Sequence, residues 1–349
     1  MRKFDYSFLK RISVPADIMN SATSIYEMKA KAELRRSDFA EVFSARESVA
    51  KIQSVKSSNA IERIITTDKR IRDIVNKSTA PQGHNELEIA GYRDALDLIH
   101  GSYSEIPFSE KSILELHRIL LQPSGDDLAG RYKTEDNFII ETDREGVRSV
   151  RFTTVPASET AFAMEQLILA YHAAYSDAEI NPLMLIPCVI LDLLCIHPFR
   201  NVNGRMSRLL SLLLMYKSGF NAGKYVSIEE QINTYKNYYY TSLQKSSERW
   251  HENDNNYFPF IENFLFNLKM SYFELDSRFA SLKDRKITKK QRIEELVTGS
   301  LLPVSKREIC EKLPDISVTT VEAELARLLK SGRIEKIGNG RGTKYCCCH

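Results

Sequence analysis

The sequence predicts a mainly α-helical protein with one β-hairpin at mid-chain and a small C-terminal unit of three helices closed by a second hairpin. Three observations carry that expectation. In AEVFSARESVAKIQSVKSSNAIERIITT (40–67) apolar residues recur every three or four positions, and Gly and Pro are absent, which marks an amphipathic helix. The period changes to two over FIIETDREGVRSVRFTT (138–154), two short runs around a DREG turn. After the charged stretch KDRKITKK (283–290) the pattern restarts as three short helices and two short strands.

Taken in order, residues 1–100 read as helical up to a break at NKSTAPQGHN (76–85), after which Asn85 opens ELEIAGYRDALDLIH. Pro107 and Ser109 start SEKSILELHRILLQ, with Ser109 as N-cap and Ser112 with Glu115 as a capping box. Pro123 to Gly130 is a loop that leads to the hairpin, and SETAFAMEQLILAYHAAYSD follows Val155-Pro156 as a helix. MLIPCVILDLLCI (184–196) is apolar almost all round, which predicts a helix buried on every side. MSRLLSLLLMYKSGF is again strongly apolar, so HPFRNVNGRMSR (197–208) lies between two core helices. Two more helices are expected at 228–246 and 257–284. The C-terminal stretch then offers helices at 289–298, SKREICEKL and VTTVEAELARLLKSG, and strands RIEKI and TKYCCC around GNGRG (338–342).

Composition bounds the function. The 349 residues suffice for two or three units of ordinary size. No apolar run reaches the roughly 18 residues that span a bilayer, so no membrane segment is expected. MRKFDYSFLKRISVPAD is basic but has no apolar region or cleavage site, so no signal peptide is expected. The six cysteines show no framework spacing, which fits a reducing cytoplasmic setting. From Lys286 onward there are 13 Lys/Arg against 8 Asp/Glu, a net of +5, while the remainder carries 36 against 38. The C-terminal unit is the basic part.

HPFRNVNGRMSR holds the chemistry. A loop that leaves one buried helix and enters another at Asn203-Gly204-Arg205 aims backbone N–H groups at a helix N-terminus, a ready anion site. Gly204 permits close approach to the backbone. Arg205 and Arg208, three apart, share one helix face and can serve one anion. His197 precedes the loop, where a neutral imidazole can accept a proton from a hydroxyl. There is no Walker loop and no Ser or Cys nucleophile paired with the histidine. The pattern points to transfer of a phosphorus-containing group held in an oxyanion cradle.

The stretch resembles the signature HxFx(D/E)GNGRxxR of the Fic domain, through His197, Phe199, Asn203, Gly204, Arg205 and Arg208. The helices before it, the hairpin at 138–154 in the position of the family's target-binding flap, and GRYKTEDNFI (130–139) leading into it are also similar to the family, over roughly 85–250. The resemblance implies a Fic-fold helical core at 85–282 and transfer of AMP from ATP to a hydroxyl of a target protein. It implies that His197 is the general base, that Asn203, Gly204 and Arg205 hold the phosphates, that Arg208 pairs with the γ-phosphate, and that Phe199 anchors the loop. Two positions depart. Asn201 stands where the family has a metal-binding acid, and Val202 where a small residue follows it. Asn201 can offer Mg²⁺ a carbonyl but no charge, so weaker metal binding or another transferred group is open.

SNAIER (58–63) resembles the family's inhibitory helix, (S/T)xxxE(G/N), through Ser58 and Glu62, in an N-terminal region, 1–84, whose inhibitory helix is expected at about 45–67. Arg63 replaces the usual Gly or Asn. Such a helix implies that Glu62 pairs with Arg208 and repels incoming triphosphate.

GNGRG opens no helix and reads as the turn of a hairpin. Helix–helix–turn–helix–hairpin is the order of a winged helix, expected at 283–349. Glu322 and Glu324 on the first turns of VTTVEAELARLLKSG would face DNA poorly, so protein contact and DNA binding both stand. The final CCCH reads as a strand end rather than a zinc site, because alternate strand side chains diverge. His117 reads as a packed or solvated helix residue, and YKNYYYTSL (235–243) as packing, with a self-modification site or a lining of the adenine pocket as the alternatives. The leading expectation is an autoinhibited protein adenylyltransferase that uses ATP and Mg²⁺. The alternatives are a nucleotide-binding regulator that binds DNA, or a Fic enzyme that moves UMP, phosphoryl or phosphocholine. A homodimer through the cores is a further expectation.

Overall fold

The computed structural model describes residues 2–38, 40–142, 146, 148–283, 289–300, 303–338 and 340–347. Helices account for 66% of the described residues. It divides into two units, 1–276 and 277–349.

The first unit contains α1 (Ala16–Asp38), α2 (Ala40–Ile61), α3 (Asp68–Val75), α4 (Gly83–Ser102), α5 (Glu110–Leu121), strands β1 (Phe138–Thr142) and β2 (Arg148–Thr153), α6 (Ala157–Tyr175), α7 (Pro182–Ile196), α8 (Asn203–Lys217), α9 (Ile228–Thr234) and α10 (Lys236–Ser247); α11 (Phe258–Lys283) begins in it. Its axis is α7, where every residue from Leu183 to Ile196 is buried, as its all-round apolarity requires. Asn181 caps α7 by accepting from the Leu183 N–H, and Pro182 takes the first helical position, where no N–H is needed. The one acid of α7, Asp192, is fully buried and accepts from Tyr6 Oη (2.7 Å), Trp250 Nε1 (2.6 Å) and Tyr257 Oη (3.0 Å), with Arg2 alongside. These donors satisfy a carboxylate that burial would otherwise penalise, and they tie the N-terminal segment to the central helix.

Several boundaries differ from expectation. The helix expected to run to 67 ends at Ile61, because Arg63 turns left-handed (φ 63°). The helix expected from Asn85 starts two residues earlier, at Gly83. Ser109 is the N-cap of α5, accepting from the Ser112 N–H at 3.3 Å; Ser112 is thus inside the first turn and does not open a capping box. The helix expected at 228–246 is two, α9 and α10, parted at Tyr235 (φ −105°, ψ 35°), whose ring meets Phe266 edge-on. β1 and β2 pair antiparallel, Ile139 with Phe152 and Ile140 with Val150, leaving Arg151 in a bulge. Residues 143–145 of the DREG turn lie outside the described residues, as do 284–288 of the charged linker.

The second unit contains α12 (Lys289–Thr298), β3 (Val304–Ser305), α13 (Lys306–Lys312), α14 (Val318–Lys330), β4 (Ile334–Ile337) and β5 (Lys344–Cys347). Ser305 and Glu308 form a capping box at α13. Two-residue β3, not foreseen, completes an antiparallel sheet ordered β3-β5-β4. Ile293, Val297, Ile309, Val321, Leu325 and Leu328 fill its core. Glu324 does not face outward as expected: it is 1% exposed and accepts from Arg327 Nε at 2.7 Å. Its position, three after Val321 and four before Leu328, lies on the apolar face of α14. Gly338 (φ 79°) and Gly340 (φ 62°) take the left-handed conformations of the second NGR turn, whose Asn339 lies outside the described residues, as do Cys348 and His349. Among the described residues no helix is long and apolar enough to cross a membrane.

Candidate active site

The loop between α7 and α8 is built from its own backbone. His197 ends α7 in a left-handed conformation (φ 53°) while its N–H donates to Leu193 O at 2.9 Å. Its Nδ1 lies 3.3 Å from Leu194 O, so Nδ1 carries the proton and the Nε2 lone pair is left to act as a base. Burial lowers the imidazole pKa to about 4. The ring is therefore neutral at pH 7, the form a general base requires.

Phe199 is fully buried and stacks on His117, with centroids 3.8 Å apart. The His117 Nδ1 accepts the Gly130 N–H at 3.0 Å, so this histidine is a packed residue that fastens the loop before the hairpin. Asn203 closes the turn: its Oδ1 accepts the Phe199 N–H at 3.0 Å and its Nδ2 donates to Phe199 O at 2.8 Å. One Nδ2 hydrogen is so engaged, which leaves Asn203 a second amide hydrogen and its backbone N–H to offer an anion. Val202 is the N-cap of α8 in a left-handed conformation (φ 62°), a costly state for a β-branched residue.

The two arginines face the N-terminal helices. Arg208 is 4% exposed; its Nε donates to Ser58 Oγ (2.8 Å) and one amino group to Ser58 O (3.0 Å) and Glu62 Oε1 (2.8 Å). Arg205 is 3% exposed and pairs with Glu88 Oε2 at 2.8 Å, with its other amino group 3.3 Å from Asn59 Oδ1. A Cβ added at Gly204 would collide with Glu62 Oε1. The Glu62 carboxylate thus rests on the first turn of α8, against Gly204 and Arg208, where the helix dipole and the unpaired N–H groups favour an anion.

The structure therefore brings together His197, Asn203, Gly204, Arg205, Arg208, Ser58 and Glu62. Asn201 is exposed and lines a polar cleft with Glu88, Asp126, Asp127 and Arg200. Arg200 and Asp126 are paired at 3.0 Å and Glu88 is held by Arg205. Among the described residues no group of three His, Cys, Asp or Glu side chains could hold a metal. This donor set does not fit a metal held by protein alone, since Asn201 offers one neutral oxygen. Glu88, Asn59 and Lys133 were not anticipated. They sit within ordinary helical or loop pattern, and only burial against the motif marks them.

Residues 107–215 match the model of the Fic/DOC family, so the chain carries a Fic/DOC domain. Among curated proteins, protein adenylyltransferase fic-1 of Caenorhabditis elegans is 32% identical over 142 residues, covering 39% of this chain and 25% of that protein. Protein adenylyltransferase Fic of Nematostella vectensis is 29% identical over 181 residues, covering 49% of this chain and 39% of that protein. The chain thus spans well under half the length of these relatives. Among solved structures, a Fic family protein from Desulfovibrio desulfuricans superposes with a TM-score of 0.60 over 97% of both chains at 19% identity. Fic-1 of C. elegans superposes at 0.55 over 76% of this chain and 73% of that one, at 20% identity. At such identities the superpositions show a shared fold.

Proposed function

We propose that the chain is a protein adenylyltransferase that moves AMP from ATP to a Ser, Thr or Tyr hydroxyl and is restrained by Glu62. The observation that carries this reading is the Glu62 carboxylate lodged against Gly204 and Arg208 beside a neutral His197. The cradle already holds an anion, and that anion belongs to the chain.

In the reaction, the target hydroxyl oxygen bonds to the α-phosphorus, the bond to the β-phosphate oxygen breaks, and pyrophosphate leaves. The hydroxyl proton passes to His197 Nε2. The N–H groups at the start of α8, with Arg205 and Arg208, stabilise the phosphate oxygens as charge develops. Glu62 blocks this by occupying Arg208 and by repelling the triphosphate. A divalent ion would have to arrive on the triphosphate.

The test uses wild-type protein, Glu62→Gly and Glu62→Gly/His197→Ala with Mg²⁺ and α-labelled ATP. Label on protein is expected to rise at least about tenfold in the single variant, the effect of roughly 1.4 kcal/mol, and to vanish in the double. No label in any variant, with ATP still bound, would reject AMP transfer and turn attention to other phosphate-containing groups.

For the second unit, a winged helix that contacts protein is the reading its charges favour. Lys306 pairs with Glu322, Arg292 with Asp315, and Arg327 with Glu324 and Glu294. Arg333 also pairs with Glu294. Cations already neutralised within the unit release few counterions from DNA.

A further inference from the structure

We propose that Lys133 is a positioning residue that locks the left-handed turn at His197 and ties it to the base of the β1–β2 hairpin. This rests on the reading of His197 as the general base.

Lys133 is 4% exposed, and its ammonium donates to three neutral oxygens: Asn137 Oδ1 (2.8 Å), Thr154 Oγ1 (2.9 Å) and Ile196 O (3.2 Å). Its backbone N–H donates to Pro198 O at 2.9 Å. One residue thereby holds the carbonyls of the residues before and after His197. Ile196 O lies at the C-terminal end of α7, where a cation complements the helix dipole.

Burying an ammonium among neutral acceptors is expensive, and burial lowers the Lys133 pKa to about 8. A neutral side chain would fill the same space at less cost. The charge is explained by what it holds: a left-handed residue other than Gly or Asn persists only where its surroundings over-determine it. Without both anchors, the Ile196–His197 peptide plane and the Pro198–Phe199 plane beyond it could rotate and swing Nε2 away.

The same network reaches the hairpin. Asn137 immediately precedes β1 and Thr154 immediately follows β2. Thr154 Oγ1 donates to Asn137 O at 2.7 Å, and Asn137 Nδ2 donates to Phe199 O at 3.0 Å. The hairpin base and the orientation of the imidazole are set by one group of hydrogen bonds with Lys133 at its centre.

The experiment compares Lys133→Met, Lys133→Arg and Thr154→Val in the Glu62→Gly background. Steady-state transfer is measured together with ¹⁵N spectra of histidine-labelled protein, the His197 signals being assigned by their loss in His197→Ala. Lys133→Met is expected to lower kcat about tenfold or more with KM for ATP changed less than about threefold, a loss confined to the reacting geometry. The His197 ring is expected to shift from a single Nδ1-protonated tautomer to an average of both. Lys133→Arg should restore the tautomer and most of kcat, and Thr154→Val, which keeps the ammonium, should give a smaller change in the same direction. Unchanged tautomer in Lys133→Met overturns the proposal, and so does equal loss of kcat and ATP affinity. If Lys133→Met does not fold, Thr154→Val decides by the same two readouts. A Glu62→Gly parent without label rejects AMP transfer, while the tautomer measurement, which needs no turnover, still judges Lys133.

Discussion

His197 combines two features that each cost free energy, a left-handed backbone and a buried ring, and under the proposed function both serve a base. The lowered pKa has a direct consequence for rate. A base whose pKa is about 4 is neutral above that pH and is lost only as pH falls through it. Transfer by Glu62→Gly is therefore expected to be level between about pH 6 and 7.5 and to decline toward pH 4, read as kcat/KM against pH. An acid limb near the ordinary histidine value of about 6.5 would mean that the ring is solvated in the working enzyme. Most residues of this site could be named from the sequence, because the loop is contiguous and its turn chemistry is local. Glu88 and Lys133 could not: their partners, Arg205 and the Ile196 carbonyl, lie far along the chain, and nothing in ELEIAG or GRYKTE distinguishes them from solvated charges.

At the scale of the element, the C-terminus of α2 carries Glu62, the brake of the proposed function. Ile64 N–H donates to Asn59 O and Arg63 N–H to Ala60 O, both at 3.0 Å, the hydrogen-bond pattern of a Schellman turn with Arg63 at its left-handed position. Lys236 Nζ donates to Ile61 O at 2.6 Å and covers another helix-end carbonyl. A carboxylate at this end of a helix is disfavoured by the dipole, so the position of Glu62 is paid for by its contacts with α8. Arg63 is exposed, and Gly takes its conformation without a Cβ penalty. Arg63→Gly is expected to raise stability by about 0.5–1 kcal/mol, measured by urea unfolding, while leaving transfer repressed. Derepression in that variant would show that the arginine side chain itself holds the brake. The Gly or Asn preference noted at this position thus has a backbone cause, but whether an arginine could adopt the turn was not decidable from SNAIER alone.

At the scale of the molecule, the basic balance of the C-terminal stretch suggested a nucleic-acid surface, and the structure pairs Arg292, Lys306, Arg327 and Arg333 with acids of the same unit. The chain is expected to bind duplex DNA weakly, with affinity changing less than about tenfold between 50 and 200 mM salt rather than the roughly 10³–10⁵-fold of a protein that contacts many phosphates. Fluorescence anisotropy of a labelled duplex decides this, and a steep salt dependence would restore the DNA-binding reading. Counting charges along the chain cannot anticipate the outcome, because Glu294 meets Arg327 and Arg333 only when α12 and α14 pack together.

The sequence by itself determined the helical period, the buried helix ahead of the motif, the hairpin, and the spacing that sets His197, Gly204, Arg205 and Arg208 around one turn. Those features depend on neighbours within a few residues, where backbone sterics and side-chain period act directly. The tertiary structure alone decided that Glu88 sits on Arg205, whereas the pairing of Glu62 with Arg208 was expected from the resemblance of SNAIER to an inhibitory helix. Glu62 reaches Arg208 across 146 positions, and Glu88 reaches Arg205 from another helix. Such choices are made by burial: once packing removes water from a guanidinium, it takes the carboxylate that the fold has carried to it, and no local pattern records which one that is.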